Sequence, residues 1–349
     1  MIEELLNKLF NDSIIEDINR EDYTTVFKLP IELIPNKYSL SENIVRDLEL
    51  LNNADSDKHS LYHNTFGNDT LFGCINLDMW SKYYTNDVSF LTESQNLYTN
   101  YRDISINEDE YIKDDDILNI STEIIEDDSF IERFHYIDLP MFKEFNKNET
   151  ILQLLAYQNL SSPLFAVIMP ILMLIVPFFI IKIQGHEITL ERYMQFIKTL
   201  LGNHIIGQLF SNFSDAPMEK KIYLIFSFGL FLFQIYNNIN TCKNYYHNIK
   251  YIHDTLNTVR LFLTNTTKKI DNFLKYSNDL LTYKNFNEEL LNRKCIVENY
   301  LISINKIGEY NFNIKKVMEL GYLMKCFYIL NNSNELTETI KYYFGFAGF

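Results

Sequence analysis

Between Leu164 and Ile181 the chain runs eighteen residues without a charged or amide side chain, and prolines stand at 163, 170 and 177. A bilayer core of about 30 Å needs about 20 residues of helix, so this run is at the threshold for a membrane span. Proline in a helix interior removes a backbone bond and costs about 3 kcal/mol in water. Membrane helices tolerate it, because neighbouring helices satisfy the freed carbonyls. A soluble helix rarely stays apolar on every face for five turns. The run therefore belongs either in lipid or inside the thick helical shell of a large soluble α-domain.

A second apolar run, Ile222–Tyr236, is shorter, with Lys220 and Lys221 before it and Tyr223 and Tyr236 placed for an interface. Two runs suggest a hairpin, one span out and one back. The connecting segment, His186–Met218, contains an amphipathic stretch suited to a membrane surface or a bundle face. Arg192, Lys198, Lys220 and Lys221 lie between the runs, and Lys147, Lys243 and Lys250 outside them. Counting basic residues puts the connection in the cytosol, whereas free cysteines favour the flanking arms there. The two indicators disagree on orientation.

The remainder reads as helical. Glycine (10) and proline (7) are scarce in 349 residues, and the hydrophobic fraction of 47% is enough for a core. Met1–Asn19, Asp69–Tyr84, Asn86–Tyr101, Ile117–Tyr136, Glu149–Asn159 and Asn311–Leu330 are expected helices, and no run alternates like a strand. A capping box is expected at Ser39 and Glu42. Cys242, Tyr245, Ile249, Ile252, Leu256, Val259, Leu263, Thr266, Ile270 and Phe273 recur in alternating steps of three and four, a heptad seam with one polar interruption. So narrow a stripe calls for one partner helix. Asn285–Ser303 can supply it, returning antiparallel after a break near Leu281–Asn287 to make an arm that projects from a compact body.

The expected fold is all-α: a helical core, a long antiparallel coiled-coil-like arm and one or two apolar, transmembrane-type helices. The expected divisions are an N-terminal helical segment (1–60), a helical core with an acidic insertion at 103–128 (61–160), the apolar hairpin (161–240), the lever arm (241–305) and a connector (306–349). The last stretch, "KYYFGFAGF", is apolar and aromatic where chain ends are usually polar. It is expected to lead into another domain or to be covered by a partner.

The formal charge of −15 argues against binding nucleic acid over the whole surface. The acid is concentrated in Asp103–Asp128, a solvated face or a site for a cation or basic partner, but without EF-hand spacing. Cys74, Cys242, Cys295 and Cys326 have neither zinc-site spacing nor the pattern of a disulfide frame, and read as buried thiols. The N-terminus has no secretory pattern. No HExxH, GxSxG, GxGxxG or G-x-x-x-x-G-K-[ST] occurs. Gly202 and Gly207 have P-loop spacing but are followed by Gln208 and Leu209. His247 and His253 sit six apart, on different helix faces.

The segment Asn64–Tyr101 resembles the core-domain start of MutS-type mismatch-repair ATPases, in their divergent viral or membrane-associated forms. The matching positions are Phe66, Gly67, Leu71, Trp80, Thr85, Asp87, Leu91, Gln95 and Leu97. The heptad arm is similar to that family's lever helices, and the segment from Gly321 to Phe349 to its connector before the ATPase. The resemblance implies a core and lever without its motor, not itself an enzyme and with no cofactor in this chain. It also implies an ATPase domain or subunit as partner, and DNA at the arm tip through Lys268, Lys269, Lys275, Lys284, Arg293 and Lys294. The residues themselves leave open a membrane scaffold with cytoplasmic arms, a soluble cytoplasmic interaction protein, and pairing of two copies.

Overall fold

The computed structural model describes residues 25–54, 59–66, 70–104, 112–125, 129–183, 193, 217–308 and 314–349. The expected helix at Met1–Asn19, most of the connection at His186–Met218 and the Gly202–Gly207 spacing lie outside them. In chain order the elements are α1 (Pro30–Leu33), β1 (Lys37–Ser39), α2 (Glu42–Asp47), α3 (Leu61–Phe66), α4 (Leu71–Trp80), β2 (Tyr83–Thr85), α5 (Val88–Asn100), α6 (Asp114–Ile125) and α7 (Phe130–Arg133). A 3-10 turn at Pro140–Lys147 precedes α8 (Glu149–Ile183) and α9 (Met218–Ser277). A second 3-10 turn, Leu281–Tyr283, precedes α10 (Lys284–Ile304), α11 (Ile314–Val317), α12 (Leu320–Asn332) and α13 (Asn334–Gly348). The fold is all-α apart from β1 and β2, which pair antiparallel with Ser39 opposite Tyr83. Three residues per strand are too few to show alternation in a sequence.

Two compact units interleave along the chain. The first unit is Met1–Phe130, His253–Glu309 and Cys326–Phe349; the second is Ile131–Ile252 and Tyr310–Lys325.

In the first unit the end of α9 and all of α10 form the expected antiparallel hairpin. Ser277 pairs with Asn287, whose amide donates to the Ser277 carbonyl at 2.9 Å, and Lys294 pairs with Asp271 at 2.5 Å. Nine of the ten seam residues are buried, Cys242 being the half-buried one. The hairpin does not project, however. Phe262, Asn265, Thr267 and Asn272 are buried beside the seam, because several elements pack around α9. Phe262 meets Phe72 of α4 and Phe344 of α13, Thr267 meets the Tyr343 hydroxyl, and Asn272 donates to the Arg102 carbonyl. The turn is held down as well: Glu93 of α5 accepts from the Thr282 N–H at 3.0 Å, and Ser94 bonds the Tyr283 hydroxyl.

The aromatic stretch ending at Phe349 is buried within this unit as α13. Phe349 packs on Phe273, Phe286 and Trp80, and Phe346 on Phe273. Gly345 lies so close to the Phe27 ring that a Cβ there would overlap it. The acidic stretch is not simply a solvated insertion, since over 114–125 it is helix α6, with Ile117, Leu118 and Ile124 buried. Asp114 accepts from the Phe72 N–H at the start of α4. The capping box at Ser39 does not form. Ser39 is in β1, and α2 begins two residues later with Ser41 at its N-cap.

In the second unit, Gln153 of α8 donates to the Val317 carbonyl at 2.6 Å and accepts from the Gly321 N–H at 2.8 Å. The Tyr136 hydroxyl donates to the Met324 carbonyl, and the Tyr245 hydroxyl meets the Met324 sulfur. Asn248 donates to the Arg133 carbonyl. These contacts fix the N-terminal part of α8 and the middle of α9, from which both apolar runs extend.

Candidate membrane-contacting surface

Both apolar runs are helical, and neither is a separate element. Leu164–Ile181 is the distal part of α8, whose backbone stays helical through positions 163, 170 and 177. Ile222–Tyr236 is the start of α9, which continues without a break into the heptad seam. The expected division at 240 therefore falls inside one helix.

Among the described residues, α9 is long and apolar enough to cross a membrane, and only 11% of its apolar window is buried. Ile222, Tyr223, Ile225, Phe226, Leu230, Leu232, Phe233, Tyr236 and Ile239 are all exposed. At 100° per residue they cover an arc of about 200°. Leu224 is buried, and Phe228, Phe231 and Ile235 on the same side are half-buried. No charged residue occurs between Lys221 and Lys243. An apolar surface this wide has no counterpart on an ordinary soluble face, where large patches mark contact with a partner or lipid.

On α8, Leu154, Tyr157, Leu164, Phe165, Met169, Leu172, Ile175, Val176, Phe179 and Ile183 are exposed. They fall within about 140° of one helix face. No charge occurs between Glu149 and Lys182. α8 and α9 meet where the Cys242 thiol donates to the Leu160 carbonyl at 3.4 Å. From that contact, both apolar runs lie on the side towards the 184–217 connection. Uncharged polar residues gather at its level: Gln158, Asn159, Ser161 and Ser162 on α8, and Asn237, Asn238, Asn240 and Thr241 on α9. Lys182, Lys220 and Lys221 lie at the opposite end of the runs. Polar collar, apolar band and basic end follow in the order that a bilayer's interface, core and second interface would select.

The six cations expected to reach DNA are placed on one hairpin, and three of them lie beside carboxylates. Lys268, Lys269 and Lys275 are on α9, with Asp271 between Lys268 and Lys275 on the same stripe. Lys284 lies 4.0 Å from Glu288. Arg293 is 2.9 Å from Glu289 and 3.8 Å from Glu338, and its guanidinium lies over the Tyr342 ring. Lys294 is bridged to Asp271 and Glu298, and the hydrogen bond it donates to Asp271 holds its ammonium above the usual lysine value.

Four of the residues that carry the MutS resemblance, Phe66, Trp80, Asp87 and Leu97, have structural roles here. Phe66 stacks on Trp80, and Trp80 on Phe349. Asp87 caps α5, accepting from the Ser89 and Phe90 N–H groups, and Leu97 is buried. None of the four cysteines is in a disulfide, but Cys74 and Cys295 are exposed and only Cys326 is fully buried, which corrects the expectation of four buried thiols. Among the described residues no three metal-ligating side chains come together.

No protein-family model, no curated protein and no solved structure matches the chain.

Proposed function

We propose that this chain is an integral membrane protein in which the apolar parts of α8 and α9 form a two-helix anchor. The remaining helices act as a non-catalytic scaffold or assembly module with cytoplasmic flanks. The observation that carries this reading is the start of α9, uncharged, apolar and exposed over more than half its circumference. Its run from Ile222 to Tyr236 is about 22 Å long and that of α8 about 27 Å, against a hydrocarbon core of about 30 Å. The test is carbonate extraction of membranes from cells expressing the full chain. The protein is expected in the pellet; release into the supernatant would give the soluble interaction protein instead.

The scaffold reading is preferred to a MutS-like core and lever. Arg293 and Lys294 are already engaged by carboxylates, Asp271 separates two of the lysines, and the hairpin turn is hydrogen-bonded to α5. A phosphate-binding tip needs cations free to release DNA counterions, and its affinity falls steeply with salt. Titration with duplex DNA at two salt concentrations decides this. Salt-sensitive binding lost on substitution of Lys268, Lys275 and Lys284 would restore the DNA role.

A further inference from the structure

The segment leading into α8 carries an apolar cluster that neither run includes. Leu139, Met141, Phe142 and Phe145 are all exposed, Met141 at 88%. Leu139 caps the 3-10 turn Pro140–Lys147 and the other three lie within it, so the cluster is a shaped knuckle. Buried Asn146 clamps its base, accepting from the Ile137 N–H and donating to the Ile137 carbonyl, both at 2.9 Å. The Phe142 and Phe145 rings stack with centroids 5.4 Å apart. Asn148 then caps α8, accepting from the Thr150 N–H at 2.9 Å. A buried amide is thus used to hold large apolar side chains outward, an arrangement without benefit in water.

The knuckle leads directly into α8 through Asn148, and α8 suggests what covers it. The exposed apolar stripe of α8 starts at Leu154, well before the Leu164–Ile181 run, and ends at Ile183. Its length is about 44 Å at 1.5 Å per residue. That exceeds the hydrocarbon core and matches a bilayer with its headgroup layers, about 40–45 Å. Tyr157 is near the start of the stripe, where interfacial aromatics gather. The knuckle immediately precedes that end. Lys143 is exposed, and Lys147 is exposed and paired with Glu144 at 3.0 Å, so both side chains can keep their charges in the headgroup layer while the apolar groups descend.

We propose that Leu139–Lys147 is an interfacial membrane anchor that inserts Met141, Phe142 and Phe145 into the headgroup layer beside α8. The assignment rests on the membrane reading of α8 and α9 but is separately testable. The full chain, with its sole tryptophan replaced (Trp80→Phe), is reconstituted in phosphatidylcholine vesicles as Phe142→Trp and, separately, as Met141→Trp. Vesicles contain unbrominated lipid, lipid brominated near the headgroup end of the acyl chain, or lipid brominated near its tail. An element lying about 5–10 Å into the interface should lose about half its indole fluorescence to the shallow bromines and much less to the deep ones. Equal intensity in all three vesicles, in both variants, overturns the proposal. If such protein still resists carbonate, the two-helix anchor stands and the knuckle faces water or protein. If carbonate releases a protein whose indole is still quenched by shallow bromines, the knuckle stands and the two-helix anchor falls.

Discussion

Tyr342 is buried against Arg293 and Phe27, yet its hydroxyl has no hydrogen-bond partner among the described residues. Burial pushes its phenol well above the ordinary value, so the group is neutral at any physiological pH and simply desolvated. Removing an unpartnered buried hydroxyl returns its desolvation cost, so Tyr342→Phe should raise unfolding stability by about 1 kcal/mol, read as a higher denaturant midpoint. Asp87 works in the opposite direction. The Phe90 N–H, the Asn36 amide and the Ser89 N–H hold its carboxyl below the usual range. A depressed acid contributes stability above its unfolded value and loses it as pH falls through the folded value. The wild type should therefore melt at lower temperature as pH drops below about 4, and Asp87→Asn should flatten that dependence. Neither effect could be read from the residue types, since the sequence does not say which hydroxyl is orphaned. The cap at Asp87 was partly legible, because Asp followed by an apolar-periodic run marks a helix start.

α9 is where two environments meet in one helix. Its first part exposes apolar side chains and its last part buries them around Leu263 and Ile270. Leu230 is exposed in the first part. An arginine there costs about 3 kcal/mol at the centre of a bilayer and little on a wet surface. Leu230→Arg should thus move a measurable fraction of the protein from the carbonate pellet to the supernatant, whereas a soluble protein would be unaffected. The seam itself was legible because a strict period of three and four fixes one stripe on any helix. That the stripe would be enclosed on several sides was not, because enclosure depends also on α4 and α13, which are distant in sequence. Phe72, Phe286 and Phe344 looked like ordinary apolar residues until folding brought them together.

The two crossings we propose would put the described residues before α8 and those after the apolar run of α9 on the same side of a membrane. Cys74 and Cys295 are both exposed and bracket α8 and α9 in the chain. In sealed, uniformly oriented vesicles, variants retaining only Cys74 or only Cys295 should behave alike towards a membrane-impermeant maleimide, both labelled or both protected. Opposite behaviour would mean a single crossing. The interleaving of the two units is the feature least visible in the sequence. The first unit resumes at His253 after leaving off at Phe130, and the second at Tyr310 after leaving off at Ile252; loop closure over such distances leaves no local signature.

Local chemistry gave the helical class, the apolar runs, the heptad seam and its antiparallel return, because periodicity and charge are properties of consecutive residues. Long-range packing decided the rest: the hairpin as the middle of a core and not a free arm, the terminal aromatics as buried contacts, two basic residues as partners of carboxylates, and Ser39 as sheet instead of cap. Each of these depends on which distant group wins a side chain or a backbone hydrogen bond, and that competition is settled only in three dimensions.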